Sequence, residues 1–166
     1  MNRISLLTVT ALSLGFLGAT LPADAQSLKQ QLVGTWTFVS STTKLPDGRP
    51  LWGTNPRGLL IFADNGRYSS QIMRSDRPKF ASGNRAEGSA EEHRSTVQGT
   101  ISSFGTYTVN EANKTFTVRF EGSTFPNMEG TEQTRPFTIT GDELRITNPS
   151  PSVGGSASQL IYKRDK

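Results

Sequence analysis

Two arginines alternate with aromatic and apolar residues, and this spacing is where chemistry is first expected. Tyr68, Ser70, Ile72 and Arg74 recur every second position, as do Arg135, Phe137 and Ile139. Phe116, Val118 and Phe120 form a third such series. In extended backbone, residues two apart share a face, so Arg74 and Arg135 fall on faces that also carry apolar groups. An arginine turned into an apolar interior must be paired or must meet an anion, because burying an unpaired charge is very costly. The pattern reads as a pocket for a small, partly apolar, acidic or phenolic molecule, lined by Tyr68, Arg74, Tyr107, Phe120 and Arg135. The same spacing is also met by arginines that lie at strand ends in solvent, or that pair internally and stiffen the fold. Glu121 is a candidate partner, although its parity sets it opposite Phe120 unless a bulge at Gly122 intervenes.

Other reactive groups are sparse. His93 is the only histidine and follows Glu91 and Glu92, a combination open to acid–base chemistry. Ser89-Ala90-Glu91-Glu92 also fits a helix capping box, which accounts for Glu92, and Glu91 sits well near a helix N-terminus. The chain has no cysteine, which excludes a thiolate nucleophile and a cysteine zinc site. One histidine and scattered acids make no metal-ligand cluster of recognisable spacing. No G-x-S-x-G elbow is present, and Gly154-Gly155 lacks the lysine and helix of a phosphate loop. No catalytic residue, metal or cofactor is therefore assigned.

The elements that must position these side chains are short and mostly extended. Ser27 to Val33 has near-helical spacing of Leu28, Leu32 and Val33, and Gly34 ends it. Eight strands follow, at about 35–44, 57–63, 67–74, 100–109, 115–121, 131–140, 143–148 and 158–164. Turn chemistry separates them: Pro46-Asp47-Gly48, Asp64-Asn65-Gly66, Glu111 to Lys114 and Gly141-Asp142. Residues 75–98 interrupt the pattern with Arg77, Lys79 and Arg85 around Phe80, then a helix expected at about 90–97 and stopped by Gly99. Connections of this length are often functional. Eight antiparallel strands leave exposed edges unless they close, so an up-and-down β-barrel is expected. Eight strands enclose room for side chains or one small ligand.

The first 25 residues read as a secretory signal. Arg3 supplies the positive start, Ile4 to Leu21 is an apolar run, and Ala23-Asp24-Ala25 offers a cleavage site. Cleavage after Ala25 leaves residues 26–166 as one domain, in the periplasm or outside the cell, with no stable membrane insertion. The net charge of +4 is spread along the chain without a block of basic residues. That distribution reads as a solubilising surface and not as a nucleic-acid site.

Gly34-Thr35-Trp36, entered from a short helix, resembles the lipocalin entry motif. In lipocalins a cation near the end of the last strand packs on that tryptophan, and Arg164 or Lys163 is the matching position. The wider chain resembles the bacterial and fungal lipocalin-like domain family. The matching stretches are Leu32-Val33-Gly34-Thr35-Trp36, Gly66-Arg67-Tyr68-Ser69 and Arg77-Pro78-Lys79-Phe80. Phe104-Gly105-Thr106-Tyr107, Glu121-Gly122-Ser123, Phe125-Pro126-Asn127 and Thr147-Asn148-Pro149 complete the series. The resemblance implies a barrel with a small internal cavity that binds a small apolar or amphipathic ligand. It also leaves open a small isomerase or cyclase that moves a proton with Tyr107, Glu121 or an arginine in that cavity. The typical lipocalin disulfide is absent.

Overall fold

The computed structural model describes residues 26–166; the expected signal segment lies outside them. Its strands are β1 (Gly34–Ser41), β2 (Arg57–Phe62), β3 (Arg67–Met73), β4 (Thr100–Asn110), β5 (Thr115–Ser123), β6 (Glu132–Thr140), β7 (Glu143–Asn148) and β8 (Ser158–Arg164). Each pairs antiparallel with its neighbour in sequence, and β1 pairs with β8 to close the barrel. Among the described residues two α-helices accompany them, α1 (Leu28–Leu32) and α2 (Ala90–Gln98). The expected all-β, eight-stranded up-and-down barrel, with its short N-terminal helix and its helical insertion between β3 and β4, is the observed fold.

Local chemistry explains where the elements begin and end. Ser27 with Gln30 and Ser89 with Glu92 each form a reciprocal capping box, which fixes the starts of α1 and α2. β1 stops at Ser41, three residues before the expected end. The Ser41 hydroxyl accepts from the Thr43 amide at 3.0 Å, so the backbone turns there. β5 runs to Ser123, two residues beyond the expected end, because a bulge lets it stay paired with β4. The register steps between Phe104↔Gly122 and Gly105↔Phe120, leaving Glu121 as the extra residue. Only glycine fits at 105, since a Cβ there would lie 1.9 Å from the Arg119 carbonyl oxygen.

The two ends of the barrel differ. At one end the connections are tight turns, and α1 sits beside the start of β1. The Trp36 indole is fully buried and donates to the Leu32 carbonyl at 2.9 Å. The Arg164 guanidinium lies 4.0 Å over the Trp36 ring and donates to the carbonyls of Val33 (3.1 Å) and Gln31. Arg164, not Lys163, is therefore the cation on the tryptophan. Phe62 packs edge-on to Tyr107 and Phe116, at centroid separations of 4.8 and 5.2 Å, and seals this half. The long connections 42–56, 74–99, 124–131 and 149–157 all gather at the opposite end.

Candidate ligand-binding cavity

A cavity of about 420 Å³ opens at the end where the long connections meet. Its depth order follows from strand register. On β3 the lining residues are Ile72, Ser70 and then Tyr68; on β4, Ile101 and then Ser103; on β8, Leu160 and then Tyr162. On β6, Arg135 is the deepest lining residue, and Phe137 beyond it belongs to the sealed core. The floor is thus made of Tyr68, Ser103, Arg135 and Tyr162. Ile72, Ile101 and Leu160 form the walls. Leu51, Trp52, Phe125 and Met128 come from the mouth connections.

The floor carries two hydrogen-bonded polar groups, one around Tyr68 and one around Arg135. The Tyr68 and Ser103 hydroxyls share a hydrogen bond of 2.5 Å, and Ser70 lies within reach of both the Tyr68 and the Tyr162 phenol. Burial pushes both phenols above the usual tyrosine range, although the nearby Arg135 charge opposes the rise. They therefore stay protonated and able to donate at neutral pH. Arg135 donates from Nε to Gln133 Oε1 at 2.6 Å. Gln133 in turn donates from Nε2 to the Ser150 carbonyl at 3.3 Å, tying the floor to the β7–β8 connection. Burial lowers the Arg135 pKa, yet arginine begins so high that it keeps its charge. Among the described residues Arg135 enters no ion pair.

Of the five residues that sequence spacing placed in one pocket, the structure brings three together. Tyr68, Phe120 and Arg135 line the cavity. Arg74 does not. It leaves the end of β3 and pairs with Asp76 at 2.6 Å outside the cavity, which neutralises it. Tyr107 is also elsewhere: it belongs to the sealed half and donates to the Ala63 carbonyl at 2.9 Å. Glu121 stays on the outer surface despite the bulge, where it takes Arg67 at 2.7 Å. Tyr107 and Glu121, the two named residues nominated to move a proton, thus lie outside the cavity. Ser103 and Tyr162 were missed, although parity with Tyr107 on β4 and with Leu160 on β8 carries the signal. Trp52 arrives from an irregular connection and had none. The 75–98 insertion contributes no lining side chain; there Phe80 packs edge-on against His93, with centroids 5.3 Å apart.

No group of three or more potential metal-ligating side chains occurs among the described residues. A family model described as a lipocalin-like domain matches residues 33–164, from the end of α1 to the end of β8. The chain belongs to the lipocalin-like domain family. No curated protein matches it significantly. In this lipocalin-like barrel the family span coincides with the closed sheet, and the cavity lies within it.

Proposed function

We propose that this lipocalin-like protein holds one small, partly apolar molecule in the barrel lumen. The observation that carries the reading is the open cavity of about 420 Å³, with apolar walls above a hydrogen-bonding floor. Ligand sites of roughly 300–1,000 Å³ combine this kind of apolar lining with a few convergent polar groups. The neutral fluorophore N-phenylnaphthylamine tests it, because its emission rises on entering an apolar site. Saturable binding to the purified protein is expected, with loss of binding when Leu160→Trp fills the wall. Absence of binding, or binding unchanged by Leu160→Trp, counts against a lumenal site.

We also propose that the protein is exported. The support is sequence alone: Arg3, the apolar run Ile4 to Leu21 and Ala23-Asp24-Ala25. N-terminal sequencing of protein recovered from a periplasmic or culture fraction should begin at Gln26. Recovery of the full chain from the cytosol alone would overturn this reading.

A further inference from the structure

We propose that the cavity selects small monocarboxylates and binds them head-down, with the carboxylate on Arg135 at the floor and the apolar body toward Trp52 and Met128 at the mouth. This rests on the lumenal reading above and adds to it a chemical class and an orientation.

Three observations converge on it. The first is charge. Arg135 is the cation of the cavity floor, its one guanidinium hydrogen bond runs from Nε to the neutral Gln133, and no carboxylate pairs with it among the described residues. A guanidinium presents a planar fork of donors that suits a carboxylate. The second is the setting of that charge. The Tyr68 and Tyr162 phenols share the floor with it, and the Tyr68 hydroxyl shares a hydrogen bond with Ser103. They add neutral donors and no second positive charge, so a single negative charge is matched. The third is the gradient from floor to mouth. Above Arg135 the walls are the apolar Ile72, Ile101 and Leu160, the mouth mixes Trp52 and Met128 with neutral polar side chains, and Glu132 lies at the rim, where it faces Arg119 at 3.4 Å. A carboxylate held at the mouth would meet the Glu132 charge and leave its apolar body against the guanidinium. Head-down binding avoids both penalties.

Isothermal titration of decanoic acid, its methyl ester and the corresponding dicarboxylic acid tests the class. The acid should bind about tenfold or more tighter than the ester, as expected for a charge-assisted hydrogen bond at a partly desolvated floor. The dicarboxylate should bind more weakly than the acid, because its second charge lands among apolar groups beside Glu132. Arg135→Gln should abolish the preference for the acid over the ester. Arg135→Met should leave the ligand-free protein as heat-stable as before or more so, because it removes a half-buried charge that no acid among the described residues compensates.

Orientation is read separately with brominated acids, since bromine quenches indole fluorescence at contact. Bromine on the terminal carbon should quench Trp52, whereas bromine beside the carboxylate should not, and Trp52→Phe should remove the effect. Equal binding of acid and ester, with Arg135→Gln unchanged, overturns the inference and leaves the lumenal reading intact. Quenching only by the carboxylate-side bromine overturns the orientation. Failure of the neutral fluorophore as well as the acids sinks both.

Discussion

Arg164 shows how one side chain can join three parts of the molecule. It stacks on Trp36 of β1 while its nitrogens cap carbonyls at the end of α1, from its own place on β8. Removing it loses a partly desolvated cation–π contact and two charge-assisted hydrogen bonds, a destabilisation of about 2–4 kcal/mol. Arg164→Ala should therefore lower the thermal midpoint markedly, and Arg164→Lys should recover only part, because an ammonium cannot stack and fork at once. A midpoint unchanged in Arg164→Ala would show that α1 and the barrel seal do not depend on this residue. Arg74, chemically the same, has a different fate because Asp76 lies two residues away. Spacing alone could not separate Arg74 from Arg135: both alternate with apolar residues, and only the turn after β3 neutralises one of them.

At the scale of elements, α2 and the β4–β5 pair are set by local rules of different strength. Glu92 accepts from the Ser89 amide at 2.6 Å and from the Ala81 amide at 2.8 Å, so it both caps α2 and pins the preceding loop. These backbone hydrogen bonds hold its carboxyl below the usual carboxylate range. A depressed folded pKa means stability that is present above the unfolded value and lost as pH falls through the folded one. The exchange protection of the Ala81 and Ser89 amides, after correction for the pH dependence of intrinsic exchange, should therefore fall as the pH is lowered past the carboxylate range, and Glu92→Gln should show low protection already at neutral pH. Protection with no such step would remove Glu92 as the pin. The helix was legible from Ser89 and Glu92 because a capping box is a local motif. The β5 bulge was only partly legible, since a bulge depends on what the partner strand brings opposite Glu121.

At the scale of the molecule, the barrel divides into a sealed half and an open half. Phe62, Phe116, Phe137 and Trp36 fill the first, with exposures of 3% or less, whereas the open half keeps its cavity. Phe62→Ala should cost about 3–5 kcal/mol, because the packed half leaves a void that its neighbours cannot close. Ile72→Ala, on the cavity wall, should cost about 2 kcal/mol, the low end for that truncation, since the wall already faces open space. Denaturant titration of the two variants checks the contrast, and equal losses would show that the two halves are packed alike. The shape thus separates stability from binding: aromatic packing near α1 holds the sheet closed, so the other end can keep a charged floor.

The sequence by itself determined the closed β-sheet, because period-two alternation, eight extended segments and strong turns between them are local properties of the chain. It also marked Tyr68, Phe120 and Arg135 as inward residues, since parity survives wherever no bulge intervenes. Only the tertiary structure decided which inward residues meet. Tyr68 and Tyr107 have equal claims by parity, yet register puts one at the cavity floor and the other in the sealed half. Ser103 and Tyr162 join Arg135 for the same reason, because depth along a barrel axis depends on the stagger between strands. Trp52 reaches the mouth from an irregular connection that has no period to read. The charge on Arg135 was visible from the start; that no acid among the described residues pairs with it is a fact of packing.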